Sequence, residues 1–156
     1  MPNDLSVGDP APDFDLAADG ATRVRLVDFK GRTLVLYFYP KDDTSGCTTE
    51  AKAFAAASSD FRQAGASIVG VSKDSVKSHD KFKAKYQLPF TLGSDADGTV
   101  VEKYGVWVEK SMYGRKYMGT ERTTLLIDGK GRIARIWRKV KVPGHAKEVL
   151  EAVRSI

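Results

Sequence analysis

The only cysteine in the chain, Cys47, is the side chain with the greatest potential for covalent chemistry. It stands in the segment YFYPKDDTSGCTTEAKAF, residues 37–54, after a hydrophobic run and at the start of a helical pattern. A helix N-terminus favours an anion through its free N–H groups and its dipole, and the thiolate is the nucleophilic form of cysteine. A lone cysteine is more commonly a small hydrophobic residue of the core. We predict a reactive thiol here because the neighbours are small or polar: Thr44, Ser45, Gly46, Thr48 and Thr49.

The sequence meets only part of the requirements of two other kinds of thiol enzyme, a cysteine hydrolase and a disulfide exchanger. A cysteine hydrolase needs a histidine as its base, and the chain offers His79 and His145. His79 falls on an apolar helical stripe, which favours a core or boundary position, and His145 is interpreted as a helix-start residue. A disulfide exchanger is excluded, because a C-x-x-C pair requires a second cysteine. The two acidic residues before the thiol, Asp42 and Asp43, are predicted to lie on the loop surface.

The elements that must position Cys47 follow from hydrophobic patterning. The run TLVLYFY, residues 33–39, is rich in β-branched and aromatic residues and predicts a strand buried on both faces, which Pro40 ends. One helix is predicted from about residue 47 to residue 64, closed by Gly65. Its apolar stripe consists of Ala51, Phe54, Ser58 and Phe61.

The remaining pattern predicts an α/β fold with a central mixed β-sheet, helices on its faces and an N-terminal β-hairpin. FDLA and TRVRLV flank the turn-like ADGA, and TTLLID and RIARIWRKV flank GKG, so both pairs predict hairpins. ASIVGVS and PFTLGSD predict further strands, with a helix between them, a short helix ending near Tyr104 and a last helix over residues 144–154. Crossover helices make the central strands parallel. Cys47 then lies past the carboxyl end of a central strand, where such sheets bind ligands.

Composition limits the class of protein. A chain of 156 residues with 42% hydrophobic content suits one domain over residues 1–156. We expect a soluble, cytoplasmic protein without membrane contact, because neither a signal-peptide pattern nor a membrane-spanning apolar run is found. The net charge of +5 is mild, and the basic segment KGRIARIWRKVKV is interpreted as a sheet edge protected by cations. It is not interpreted as a nucleic-acid surface, because no nucleic-acid motif accompanies it.

Pro40, Thr44 and Cys47 have the spacing Pro-x-x-x-Thr-x-x-Cys, which is the active-site signature of the peroxiredoxins. YFYPKDDTSGCTTEA resembles above all the Q-type subfamily, also called bacterioferritin comigratory proteins. The segments GDPAPDFDL, VGVSKDSVKSHDKF, LPFTLGSDADGTVVEKYGVW and RTTLLIDGKGRI are similar to the same proteins, so the likeness covers nearly the whole chain. It implies a thioredoxin-like fold and a thiol peroxidase for hydrogen peroxide and organic hydroperoxides. We expect no metal, haem, flavin or other cofactor.

The resemblance also assigns roles to single residues. Cys47 would attack the peroxide, and Thr44 would exchange a hydrogen bond with the peroxide or the thiolate. The N–H groups around Gly46 and Cys47 would bind the peroxide oxygens, and Gly46 would leave their approach free. Pro40 would shield the thiolate from water. Arg122, at the start of RTTLLID, would stabilise the thiolate and the charge that develops on the leaving oxygen.

The chain departs from the subfamily pattern at the positions that carry a second, resolving cysteine. Position 52 is Lys52, and the alternative region on the next helix has Phe82 and Lys83. Ser45 also replaces the usual proline, without removing a catalytic group. The resemblance therefore implies a one-cysteine peroxidase, a monomer, recycled by thioredoxin or by glutathione with glutaredoxin. A redox sensor or binding module that keeps the fold but does not turn over remains the alternative.

Overall fold

The computed structural model describes residues 5–156, which form nine strands and five α-helices. The helices are α1 (Ser45–Ala56), α2 (Ser58–Gln63), α3 (Val76–Tyr86), α4 (Thr99–Lys103) and α5 (His145–Arg154). The strands are β1 (Asp15–Ala18), β2 (Thr22–Arg25), β3 (Thr33–Phe38), β4 (Ala66–Ser72), β5 (Thr91–Ser94), β6 (Trp107–Met112), β7 (Arg115–Thr120), β8 (Thr123–Ile127) and β9 (Ile133–Trp137).

Seven strands form one mixed sheet in the order β2-β1-β5-β4-β3-β8-β9. β3, β4 and β5 run parallel, as their helical crossovers require, and β8 lies antiparallel on the other side of β3. β1 and β2 form the expected N-terminal hairpin, and β8 and β9 form the expected C-terminal one. β9 is an edge strand, which confirms the interpretation of the basic segment as a sheet edge. The prediction of a mixed α/β sheet is confirmed.

β3 lies at the centre of the sheet and sends alternate side chains into two hydrophobic clusters. Val35 and Tyr37 pack with Phe54 of α1 and with α5, while Leu36 packs with Val101 of α4 on the other face. Helices therefore cover both faces, and all residues of β3 after the first are buried. Cys47 belongs to the first cluster. Within residues 5–156, no helix is long and apolar enough to cross a membrane.

The single helix predicted after Cys47 is instead two helices, with the break at Ala57. The N–H group of Ala57 is shared between the carbonyl oxygens of Ala53 and Phe54, at 3.3 and 3.2 Å, so the helix tightens into a 3₁₀-type turn there. α2 then carries Phe61 into the same core as Phe54, with the two rings 5.9 Å apart. α1 buries Ala51 and Phe54 of the predicted stripe, and α2 buries Phe61.

A two-stranded hairpin, β6 and β7, was not predicted from the sequence. Its two-residue turn consists of Tyr113 and Gly114, whose φ angles are +52° and +79°. Positive φ at both positions defines a type I′ turn, which matches the twist of the strands it joins. The hairpin is followed along the chain by Arg122. The N–H group of Glu121, the residue before Arg122, donates to the carbonyl oxygen of Val106 at 2.7 Å.

Candidate active site

Cys47 lies in the first turn of α1, immediately beyond the carboxyl end of β3. Thr44 is the N-cap residue with an extended backbone, and the N–H group of Thr48 makes the first helical bond to its carbonyl oxygen, at 2.8 Å. The N–H groups of Ser45, Gly46 and Cys47 therefore precede the first intrahelical bond. The side chain of Cys47 is only 2% exposed. The predicted position at a helix N-terminus is confirmed, with the helix starting two residues earlier than expected.

The Arg122 guanidinium bridges the thiol and a buried carboxylate. Its Nη2 donates to Cys47 Sγ at 3.3 Å, and its Nη1 donates to Glu50 Oε1 at 2.7 Å. Sheet pairing causes this approach, because Thr123 at the start of β8 pairs with Phe38 at the end of β3. Burial by itself lowers the pKa of Arg122, but the charges of Glu50 and Cys47 outweigh it and raise that pKa. The guanidinium is therefore a permanent positive charge beside the sulfur.

Glu50 is a member of this site that the sequence reasoning missed. It is 1% exposed, and its Oε2 atom has no hydrogen-bond partner among residues 5–156. Burial raises the pKa of the Glu50 carboxyl to about 7, and the attraction of Arg122 opposes the rise. A signal was present in the sequence, since position 50 shares a helical face with Cys47, Ala51 and Phe54. An acidic residue on a buried stripe requires a cation, and Arg122 provides it.

The other expected site residues, Thr44, Gly46 and Pro40, differ in their contacts and exposure. The Thr44 hydroxyl donates to the carbonyl oxygen of Lys41 at 2.8 Å, which leaves its oxygen lone pairs free to accept. A side chain on Gly46 would place its Cβ atom 3.2 Å from Arg122 Nη2, tighter than an ordinary contact. Gly46 thus makes room for the guanidinium as well as for a ligand. Pro40 is exposed and opens the loop that leads from β3 to Thr44.

The prediction that Asp42 lies on the loop surface is wrong. Asp42 is 8% exposed, and its carboxylate accepts hydrogen bonds from Tyr39 at 2.5 Å and from Ser78 at 2.8 Å. His79 Nδ1 lies 2.7 Å from Asp42 Oδ2, and the N–H group of Asp42 donates to Asp74 Oδ2 at 2.8 Å. Partners on α3 and after β4 therefore draw this side chain inward. Asp43 does lie on the surface, where Lys85 and Tyr86 of α3 bind its carboxylate: Lys85 Nζ at 2.8 Å and Tyr86 Oη at 2.7 Å.

Neither histidine forms a hydrogen bond with Cys47 in the described part of the chain. His79 is fully buried between Asp42 and the carbonyl oxygen of Gly93, so the core position expected for it is confirmed. His145 is the first residue of α5, and its Nε2 lies 2.8 Å from the hydroxyl of Thr124. Burial lowers the pKa of His145 to about 4. The geometry therefore lacks the thiol–imidazole contact that a cysteine hydrolase needs.

A buried thiol at a helix N-terminus, held by an arginine at the end of a central strand, defines a thiol-based redox enzyme on a thioredoxin-like fold. Residues 7–136 match the AhpC/TSA family. The putative peroxiredoxin bcp of Coxiella burnetii is 54% identical over 146 residues, which are 94% of this chain and 97% of the relative. The crystal structure of a Xylella fastidiosa PrxQ mutant aligns with a TM-score of 0.92 at 43% identity, over 97% of both chains.

A third similar protein is the Xanthomonas campestris bacterioferritin comigratory protein, solved in a study of its alkyl peroxide reduction activity. It aligns with a TM-score of 0.87 at 47% identity, over 91% of this chain and 90% of its own. The chain therefore belongs to the AhpC/TSA family, and within it to the Q-type peroxiredoxins, or bacterioferritin comigratory proteins. It is a thiol peroxidase whose sequence has one cysteine, which fits a one-cysteine mechanism.

Proposed function

We propose that residues 1–156 act as a single peroxiredoxin domain that reduces hydrogen peroxide and alkyl hydroperoxides through Cys47 and regenerates it with a thiol from outside. The contact of Arg122 with both Cys47 and Glu50 carries the proposal. It places a fixed positive charge within 3.3 Å of the only sulfur nucleophile in the chain. The alkyl peroxide activity of the Xanthomonas campestris relative supports the substrate class.

In the first half of the cycle, the Cys47 thiolate attacks one peroxide oxygen and the O–O bond breaks. The second oxygen leaves as water or as an alcohol after it takes a proton, and the sulfur becomes a sulfenic acid. Because the Thr44 hydroxyl already donates to Lys41, it acts as an acceptor for the peroxide O–H group. The N–H groups near Gly46 and the Arg122 guanidinium stabilise the charge on the departing oxygen. We expect Pro40 to shield the thiolate from water.

In the second half, an external thiol attacks the sulfenic sulfur, water leaves, and a mixed disulfide forms on Cys47. A second thiol displaces the first as a disulfide and returns Cys47 to the reduced state. No other cysteine is present to do this within the chain. Thioredoxin, or glutathione with glutaredoxin, has the required chemistry. A reducing compartment suits such a cycle, so we propose a cytoplasmic monomer that works without nucleic acid or membrane.

Peroxide consumption by substituted proteins tests this function. We expect Cys47→Ser to abolish the reaction and Arg122→Ala to slow the first oxidation by about 10²–10³-fold, since it removes a preorganised charge. Arg62→Ala, at an exposed arginine of α2, is the matched control and should leave the rate unchanged. Rapid peroxide reduction by Cys47→Ser would refute the proposal. Consumption of a single equivalent followed by arrest, with every added thiol, would instead identify a sensor that does not turn over.

A further inference from the structure

A surface groove of about 480 Å³ lies where β9 ends and α5 begins. Three cationic side chains line it, Arg138, Lys139 and Lys141, and Glu148 contributes one carboxylate. His145 also lines it but is neutral near neutral pH, because burial lowers its pKa to about 4. The groove therefore carries a net positive charge with one acidic position.

Trp137 and the start of α5 add hydrogen-bond donors to the groove. Trp137 forms one wall, and its buried Nε1–H group finds no acceptor within residues 5–156. α5, which is 10 residues long, starts after Gly144 without a capping side chain. The N–H group of His145 donates to the carbonyl oxygen of Val142 at 3.1 Å, so an anion would meet the next N–H groups and the positive end of the helix dipole. Arg135 stacks 4.7 Å above the Trp137 ring and brings a further cation to the edge of the groove.

The loop that forms the groove is held in a defined shape. Lys139 has a φ angle of +48°, a conformation that non-glycine residues adopt rarely and only when the surroundings impose it. The next residue, Val140, donates its N–H group to the carbonyl oxygen of Arg122 at 2.9 Å. The backbone of the basic loop is therefore fastened directly to the arginine that contacts Cys47.

Sheet register places the groove at the same end of the sheet as the start of α1. Tyr37 of β3 pairs with Thr124 of β8, which pairs in turn with Trp137 of β9. The groove thus lies two strand spacings, or about 10 Å, from β3. It is at the end of the sheet where β3 ends and the chain continues to Cys47. An extended peptide of three residues spans about 10 Å. A small peptide bound in the groove can therefore reach from β9 toward the end of β3, beyond which Cys47 lies.

We propose that this groove binds the carboxylates of a small anionic peptide thiol, which is the reductant of Cys47. Arg138, Lys139 and Lys141 pair with its carboxylates, and Glu148 accepts from its amino group. The inference rests on the proposed one-cysteine cycle. In the step that it serves, the bound thiol sulfur attacks the Cys47 sulfenic sulfur, the S–O bond breaks, and hydroxide leaves as water with the thiol proton. The established peroxide step supplies the oxidising equivalent.

Glutathione and its diethyl ester test the groove, because the ester keeps the thiol and the amino group but lacks both carboxylate charges. Cys47 is first oxidised with one equivalent of peroxide, and formation of the mixed disulfide is then followed by quenched-flow mass spectrometry. We expect glutathione to react at least about 10-fold faster than the ester at low salt, with the difference shrinking as salt screens the charges. The combined variant Arg138→Gln, Lys139→Gln, Lys141→Gln should lose this preference, because the rate with glutathione falls toward the rate with the ester.

A charge-matched control variant, Lys77→Gln, Lys81→Gln, Lys130→Gln, removes three exposed cations outside the groove and should keep the preference. Loss of the preference in this control, its persistence in the groove variant, or no preference in the unmodified protein would overturn the inference.

Binding of S-methylglutathione to the reduced protein, measured by calorimetry, tests the groove independently of the reaction at Cys47. We expect the groove variant to bind it at least about 10-fold more weakly, which corresponds to about 1.4 kcal/mol. Absence of binding to the unmodified protein would also overturn the inference, whereas failure of Cys47 to form sulfenic acid would count only against the proposed function.

Discussion

His79 Nδ1 lies 2.7 Å from Asp42 Oδ2 in the protein interior and ties the loop before Cys47 to α3. The other ring nitrogen, Nε2, lies 2.9 Å from the carbonyl oxygen of Gly93, which can only accept, so Nε2 carries a proton. Burial lowers the pKa of His79, but its hydrogen bond to Asp42 and the charge of Asp42 outweigh this effect and raise it. Both ring nitrogens face oxygen acceptors, an arrangement that favours an imidazolium bound to a carboxylate.

Breaking this pair should loosen the active-site loop. His79→Ala leaves the Asp42 carboxylate buried without its cation, and removal of one partner of a buried pair destabilises by about 3–5 kcal/mol. We expect a lower urea midpoint, faster alkylation of Cys47 by bulky reagents, and slower reduction of peroxide. Lys85→Ala is the control, because it breaks the exposed pair that the same loop makes through Asp43. An alkylation rate that rises equally in both variants would contradict a special role for His79.

Stability should fall with increasing pH through two buried groups. The folded-state pKa of Glu50 is about 7 against an ordinary 4.5, so the unfolded chain releases this proton first and stability decreases between these values. The gap corresponds to at most about 3 kcal/mol. His79 also has a raised pKa, so its contribution is complete below the ordinary 6.5 and is lost as pH rises through the folded-state value. The pH ranges of the two contributions overlap between 6.5 and about 7, and both contributions decrease as pH rises.

Urea unfolding of matched variants at about pH 5, 6, 7 and 8 separates these contributions. Glu50→Gln keeps an oxygen that can accept from Arg122 Nη1 but does not ionise, so it should gain stability relative to the unmodified protein as pH rises toward 7. His79→Gln should weaken the pH dependence of stability above pH 6.5 and leave the Glu50 contribution, between 4.5 and about 7, in place. A stability difference for Glu50→Gln that stays constant with pH would refute the assignment of the raised pKa to this carboxyl.

Gly46→Ala should reduce activity without unfolding the protein. The new Cβ atom would lie 3.2 Å from Arg122 Nη2 and push the guanidinium away from Cys47 Sγ. We expect the first oxidation to slow by about 10-fold, the equivalent of roughly 1.4 kcal/mol. Thermal stability should hold or rise, because alanine exceeds glycine in helix propensity by about 1 kcal/mol. Ser45→Ala, one position earlier on an exposed face, is the control, and an equal loss of rate there would argue against contact with Arg122.

Sequence patterning predicted those features that depend on neighbouring residues. β3 was recognisable because its run of β-branched and aromatic residues is continuous, and Pro40 marks its end. The helix start could be placed to within two residues, at Cys47 against the observed Ser45, because small polar residues follow a buried strand. The type I′ turn of the β6–β7 hairpin was missed, because Tyr113 is an unusual residue at a positive φ angle and only Gly114 signals the turn.

The buried polar residues depend on partners that are distant in sequence. Asp42 looks like a loop residue until His79, 37 positions later, and Asp74, 32 positions later, are brought beside it. Glu50 and Arg122 are 72 positions apart and meet because β8 pairs with β3. Local periodicity can place Glu50 on a buried helical face, but it does not identify the distant partner. Arg122 was identified in the sequence only through the family resemblance. Such a resemblance reflects contacts between residues far apart in the chain, which local patterning does not show.

The spacing between Cys47 and Lys52 determines how the oxidised enzyme should fail. Residues five apart in an α-helix have Cα atoms about 8.7 Å apart, and the side chains point about 140° away from each other. A disulfide requires Cα atoms within about 7 Å, so the first turns of α1 would have to unwind before a cysteine at position 52 could reach Cys47. The chain has Lys52 there, and its α1 can stay folded throughout the cycle.

Excess peroxide should therefore inactivate the enzyme when thiol is scarce. The sulfenic acid waits for an external reductant, and a second peroxide then converts Cys47 to the sulfinic acid, which thiols do not reduce. Intact-mass measurement should show two added oxygen atoms on Cys47, and a mixed disulfide in their place when glutathione is supplied. Lys52→Cys should form a disulfide with Cys47 and slow the inactivation, while Lys52→Ser should not. If the unmodified protein instead accumulates a covalent dimer through Cys47 and turns over by reducing it, resolution occurs between two chains and the one-cysteine cycle is wrong.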